Sequence, residues 1–305
     1  MKKSTGLANN KLQNELIKFI RTFSYKQKKN KPSQISDKLT KLTDIKAFIF
    51  DIYGTMFISS TGDISLVSDK SCSLNIDAIL YNSGIDRDSL RNPEELPFLL
   101  KQRINTSHLT SNKKGFEFPE VDIIKIWKSI FNEIKTGMSH IDEEKIIKFS
   151  VLYEIMTNPV YPMPGLVSAI DYLKSNNIVM GIVSNAQFYT SLLFPAFFNK
   201  NIFELGFHKE LCVWSYQEQR AKPDTKLFLK LLTQLDECYN IKARESVYIG
   251  NDMLNDIWTA SQCGLKTILF AGDRRSLRLR NGNVLVSDIT PDCIISELSQ
   301  IREIV

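Results

Sequence analysis

The sequence predicts an α/β protein, a doubly wound parallel sheet interrupted by an inserted all-helical domain. Three observations predict it. KAFIFDIYG, at 46–54, is a short unbroken apolar run of the kind covered on both faces of a sheet. From Pro162 onward, helical and strand patterns alternate, which makes the strands parallel through right-handed crossovers. Between these regions, residues 58–158 carry helical periodicity and no strand run of similar strength. The core is therefore expected at 45–57 and 159–305, a cap at 58–158, and a basic extension at 1–44.

The elements follow in order. LQNELIKFIRTF places Leu12, Leu16, Ile17, Ile20 and Phe23 at helical spacing, the pattern of a docked amphipathic helix. KNKPSQ reads as a connector, and KAFIF is the first core strand. SLNIDAILYNSGI, PEVDIIKIWKSIFNEI and EEKIIKFSVLYEIM supply helices for the cap. Its aromatics, Phe98, Phe116, Trp127, Phe131 and Tyr153, are read as core rather than as a substrate pocket. Then come a helix (PGLVSAIDYLKSNN), a strand (IVMGIVSNA), a helical stretch (QFYTSLLFPAFF) and a possible strand (ELCVWSY). KPDTKLFLKLLTQLD is a helix, SVYIGND a strand, NDIWTASQCG a helix ending at a glycine, and LKTILFAG the last strand. No internal repeat is present.

Composition narrows the class. With 43% hydrophobic and 24% charged residues, the 305-residue chain has ordinary globular composition and can bury a large core plus a smaller one. No apolar run approaches the roughly 20 residues that span a bilayer, and no secretory h-region opens the chain. Cys72, Cys212, Cys238, Cys263 and Cys293 are scattered and never spaced as CxxC. Cysteines so placed suit a reducing cytoplasm and argue against a disulfide framework or a zinc site. His108, His140 and His208 stand apart, so a histidine metal cluster is not expected. Residues 1–44 hold eleven Lys/Arg against three acids, so the rest of the chain carries 39 − 11 = 28 basic and 34 − 3 = 31 acidic residues. The basic excess, including KQKKNK at 26–31, is thus confined to the leader. It reads as a solvated extension, dispensable for folding because every motif lies beyond it. Nucleic-acid binding is not expected, because no basic stripe with interleaved aromatics recurs.

In a parallel sheet of this kind, ligands sit at the carboxyl ends of the strands. The polar residues ending apolar runs are therefore the candidates: Asp51, Ser184-Asn185 and Asn251-Asp252. Asp51 is a potential nucleophile, since a carboxylate can form an ester or acyl phosphate that water then hydrolyses. Lys222, beside Pro223 at a helix start, can balance the charge of Asp51 and of an anionic substrate. Asp252 and Asp256 lie four apart where a loop turns into a helix and can face one cation, or can simply cap that helix.

These segments resemble the haloacid dehalogenase superfamily of hydrolases, whose core is Rossmann-like. FDIYGT matches its first motif, IVSNA its second, AKPD its third and YIGNDMLND its fourth, in the family order, over about residues 46–290. The resemblance implies a catalytic group of Asp51, Tyr53, Ser184 and Lys222. It implies substrate contacts from Gly54, Thr55 and Asn185. It also implies a magnesium ion held by Asp51, Asp252, Asp256 and the backbone carbonyl of Tyr53, with Asn251 as the alternative to Asp252. The cap then restricts access to small substrates, here an anionic one.

Tyr53 departs from the phosphatase pattern, where an aspartate two after the nucleophile protonates the leaving group. A phenol of pKa about 10 is a poor substitute at neutral pH. Tyrosine stands there in the 2-haloacid dehalogenases, whose leaving halide needs no proton and which need no metal. The acids of the fourth motif pull the other way. The favoured expectation is a magnesium-dependent phosphatase of a small phosphorylated metabolite, acting through an aspartyl-phosphate. The alternatives are a metal-independent 2-haloacid dehalogenase and a non-catalytic binding relative. AGDRRSLRLRNG packs Arg274, Arg275, Arg278 and Arg280 together, an anion-binding group or a salt-bridged surface turn.

Overall fold

In the computed structural model the apolar run at 47–50 is strand β1 (Ala47–Phe50), and all four of its side chains are buried. The structure describes residues 10–24, 30–59, 74–137 and 140–305; Lys26, Lys28, Lys29 and Cys72 lie outside them. Ahead of β1 comes helix α1 (Asn10–Phe23). After β1, the short strand β2 (Phe57–Ile58) leads out of the core. Helices α2 (Ile76–Ser83), α3 (Leu96–Asn112), α4 (Ile123–Ile134) and α5 (Glu143–Thr157) follow, and strand β3 (Tyr161–Pro162) returns. β2 and β3 pair antiparallel, Phe57 with Pro162 and Ile58 with Tyr161. That two-stranded stem is where the helical insert joins the sheet.

The core resumes with α6 (Leu166–Ser175), β4 (Val179–Ser184), α7 (Leu193–Phe198), β5 (Phe207–Trp214), α8 (Ser215–Glu218) and α9 (Lys226–Tyr239). It closes with β6 (Ser246–Gly250), α10 (Thr259–Gln262), β7 (Lys266–Phe270), β8 (Cys293–Ile295) and α11 (Ile301–Ile304). Six strands form one parallel sheet in the order β5-β4-β1-β6-β7-β8. The predicted doubly wound α/β fold with a helical insert is the observed one. Because β1 lies between β4 and β6, the residues following these three strands emerge side by side. That adjacency assembles the site.

Two elements escape the periodicity. α3 buries only Leu96, Leu100 and Ile104 along 17 residues, too narrow an apolar stripe to stand out. β8 is three residues long and pairs with β7 alone inside the sheet. NDIWTASQCG is a wide π-helical turn, Met253–Trp258, before α10. In the cap, Trp127, Phe131 and Tyr153 form an aromatic core as read from the sequence, together with Phe149, which packs edge-to-face on Trp127 and Phe131. Phe98 is exposed, whereas Phe116 stacks against the Arg220 guanidinium at 4.5 Å.

The described part of the leader is packed rather than solvated. Leu12, Leu16 and Ile20 of α1 are buried, and the helix packs against α5 of the cap and α7 of the core. Glu15 pairs with Lys148 at 2.8 Å, and Arg21 donates to the carbonyls of Pro195 and Ala196. Further on, Lys38 exchanges backbone hydrogen bonds with Ile294, and Leu42 donates to Ile304. The chain thereby covers the outer edge of β8, which would otherwise present unpaired amides. Apolar spacing signalled a docked helix, but not that it bridges cap and core. Among the described residues no helix is long and apolar enough to cross a membrane.

Candidate active site

Asp51 follows β1 directly and is buried. Its Oδ1 accepts from Ser184 Oγ at 2.9 Å, across from the end of β4, and from Lys222 Nζ at 2.7 Å. Lys222 Nζ also reaches Asp256 Oδ1 at 2.6 Å and Tyr248 Oη at 3.0 Å. One ammonium thus bridges two buried carboxylates, drawn from the turns after β1 and β6. Burial alone would lower the Lys222 pKa, but Asp256 and Asp51 outweigh it and hold the ammonium above the usual lysine range. Asp256 responds oppositely. Burial pushes its carboxyl up to about 7, with Lys222 pulling down and the charges of Asp51 and Asp252 pushing up.

The backbone around the nucleophile is fixed by packing. Gly54 has φ +89°, and a Cβ there would lie 2.7–2.8 Å from Ser276 and Asn251 side-chain atoms. A left-handed turn against two neighbours admits only glycine. Thr55 Oγ1 donates to Asn251 Oδ1 at 3.1 Å, and Asn251 Nδ2 donates to the Ser276 carbonyl at 2.7 Å. The Asn185 side chain holds Lys222, its Oδ1 accepting from the Lys222 amide at 2.7 Å. Gly54, Thr55 and Asn185 therefore shape the site around Asp51 and Lys222. Among the described contacts Asp51 Oδ2 has no partner, and the amides of Ile52, Tyr53 and Asn185 have no acceptor. A carboxylate oxygen open to attack beside free N–H groups is the arrangement an anionic electrophile requires.

Tyr53 is half-buried, with its Oη 2.9 Å from Thr190 Oγ1. Burial, then the nearby Glu154 charge, raises its pKa above the ordinary phenol value. It neither donates a proton readily nor forms a phenolate base near neutrality.

The expected magnesium ligands can be tested against their own hydrogen bonds. Asp252 Oδ1 accepts from the Leu254 and Asn255 amides, capping the following turn. Both its oxygens also accept from Arg280, with Nε at 3.0 and 3.1 Å. Asp256 Oδ2 accepts the Asp252 amide at 2.9 Å, while its Oδ1 takes Lys222 and Tyr248. Two of the three carboxylates are thus saturated by protein donors, and Lys222 occupies the space between Asp51 and Asp256. Among the described residues no group of three His, Cys, Asp or Glu is arranged to hold a metal. The donor set as built does not fit a divalent cation.

Three contributors were not foreseen. Tyr248 lies inside the apolar run of β6, where a hydrophobic reading hides its hydroxyl. Arg280 is 28 residues from Asp252, and only its place in a dense arginine run hinted at a role. Phe118–Glu120 of the cap forms backbone hydrogen bonds with Gln219 and Ala221, one residue before Lys222. That contact ties the cap to the site.

The family model for haloacid dehalogenase-like hydrolases matches residues 106–270, more than half of the chain, including Ser184, Lys222, Asp252 and Asp256. The chain belongs to this family. No curated protein sequence matches it. Among solved structures, it is similar to a 2-haloacid dehalogenase from Pseudomonas syringae pv. Tomato DC3000. Identity is 17%, coverage 85% of this chain and 97% of that one, and the TM-score 0.50. It is also similar to a predicted phosphoglycolate phosphatase from Haemophilus somnus 129pt, at 15% identity, 86% and 98% coverage and TM-score 0.46. An L-2-haloacid dehalogenase from Xanthobacter autotrophicus is 15% identical, with 84% and 96% coverage and TM-score 0.46. At these identities the likeness is one of fold. The haloacid dehalogenase-like fold carries more than one chemistry, so the reaction must be argued from the site.

Proposed function

We propose that this haloacid dehalogenase-like hydrolase attacks a small anionic substrate through Asp51, without a divalent cation, and that a short 2-haloacid suits the site best. The observation that carries this reading is Tyr53. Its hydroxyl is engaged by Thr190 and its pKa is raised, so no acid stands two residues after the nucleophile. A halide leaves without a proton, whereas an alkoxide does not. The commitment of Asp252 to Arg280 supports the same reading.

The chemistry balances with residues at hand. Substrate carboxylate would bind the free amides near Ile52 and Asn185, with Lys222 close by. Asp51 Oδ2 attacks the carbon bearing the halogen, the carbon–halogen bond breaks, and halide leaves with the electron pair. Water then adds to the Asp51 ester carbonyl, and the 2-hydroxyacid departs. One proton of that water ends on the product hydroxyl and the other in solvent. Ser184 and Lys222 hold Asp51 Oδ1 and stabilise the oxyanion formed there. The free thiols Cys212, Cys238, Cys263 and Cys293 suit a reducing compartment, and the proposal places the protein in the cytoplasm, apart from nucleic acid.

The acids Asp252 and Asp256 favour a second reading, a magnesium-dependent phosphatase of a small phosphorylated metabolite working through an aspartyl-phosphate. There the cation would have to displace Arg280 from Asp252. Purified protein assayed on 2-chloropropionate and on phosphomonoesters, with magnesium and with a chelator, separates the two. Chelator-insensitive halide release is expected, and Tyr53→Phe should keep turnover within about tenfold, against the 10²–10⁴-fold loss that removal of a general acid brings. Phosphate release abolished by the chelator would establish the second reading. Silence on both panels would move the chain to the non-catalytic relatives.

A further inference from the structure

The arginine run AGDRRSLRLRNG closes over the site. Ser276 packs on Gly54 and accepts from Asn251 through its carbonyl. Arg275 pairs with the buried Asp273, anchoring the start of the loop. Arg278 donates its amide to the Asn251 carbonyl at 2.9 Å and accepts the Met253 amide at 2.8 Å. The loop is therefore clamped to both the nucleophile turn and the turn after β6. Arg280 then adopts φ +57°, a left-handed conformation that a residue with a Cβ holds only when its surroundings impose it. Its guanidinium meets both oxygens of Asp252, whose side chain is 9% exposed. A bidentate pair on a carboxylate this buried differs from an exposed surface ion pair, which contributes little.

We propose that Arg280 is a tethered cation that does at Asp252 what a bound divalent ion would do, neutralising the carboxylate and thereby keeping the ion out. The charge balance supports it. Asp51, Asp252 and Asp256 bring at most three negative charges and Lys222, Arg280 and the adjacent Arg278 three positive ones, so the set is neutral or slightly positive before an anionic substrate enters. Adding a divalent ion to this set would make it at least +2. Removing Arg280 lowers this total by one and strips the buried Asp252 of its bidentate partner, a loss that a divalent ion relieves. The inference rests on the metal-independent reading, but its test needs no turnover.

Titration calorimetry with magnesium, and electron paramagnetic resonance with manganese, would be run on the substrate-free wild-type chain and on Arg280→Gln. Cation binding should tighten at least about tenfold in Arg280→Gln, because the ion no longer has to displace a guanidinium from the buried Asp252. Adding Asp252→Asn should abolish the gain. Arg280→Lys, which keeps the charge but loses the fork, should fall between wild type and Arg280→Gln. It also serves as the informative variant if Arg280→Gln does not fold. Wild-type binding as tight as that of the variants, or no gain in any of them, would overturn the role of Arg280. Chelator-sensitive turnover would instead overturn the functional reading, so the two failures are distinguishable.

Discussion

Lys222 carries one ammonium between Asp51 and Asp256 in a site where all three are buried. Removing that charge leaves two carboxylates facing each other without a counterion. Lys222→Met should therefore cost about 3–5 kcal/mol, the range for breaking a buried pair, and should abolish turnover; urea denaturation with an activity assay checks both. Asp256 gives a pH signature. Its folded pKa is raised to about 7 from an unfolded value of 3.8, so the folded state resists its ionisation. Its contribution to stability is present below the unfolded value and lost as pH rises towards 7. Urea midpoints of wild type should fall relative to Asp256→Asn between these pH values. A difference that stays constant with pH would contradict the raised pKa. Tyr248, which touches both groups, was invisible to sequence reasoning because β6 reads as purely apolar; its hydroxyl matters only once the sheet sets β6 across β1 from β4, where it donates to the Val183 carbonyl.

At the scale of elements, α1 links cap and core. Leu16 is fully buried in α1, which packs against α5 and α7, so Leu16→Ala should destabilise by about 2–5 kcal/mol, the cost of a core Leu→Ala change. Loss of less than about 0.5 kcal/mol, as at a surface position, would restore the view of a dispensable leader. Periodicity made α1 legible as a helix with an apolar face. Its docking partners were not legible, because they come from residues more than a hundred positions away. The strand ends were legible for a different reason. An apolar run covered on both faces must end where polar residues begin, and Asp51, Ser184 and Asn251 mark those ends. Side-chain direction was not legible. Asn185 and Asp252 sit where the motifs place them, yet one holds the Lys222 backbone and the other holds Arg280.

For the whole molecule, the insert meets the core beside Lys222, and the leader packs against both insert and core. The cap is stapled to the core at the β2–β3 stem and at Phe118–Glu120 beside Lys222, and to the leader through Lys148 and Glu15. A cap of this kind would restrict the site to small substrates and exclude water, as the proposed ester on Asp51 requires. A single turnover of limiting 2-chloropropionate in heavy-oxygen water, with a chelator present, tests the covalent role of Asp51 most directly. The product hydroxyl should carry ordinary oxygen taken from the enzyme, and the peptide containing Asp51 should gain one heavy oxygen. Heavy oxygen in the product with none in Asp51 would mean that water attacks the substrate itself, and Asp51 would not be the nucleophile.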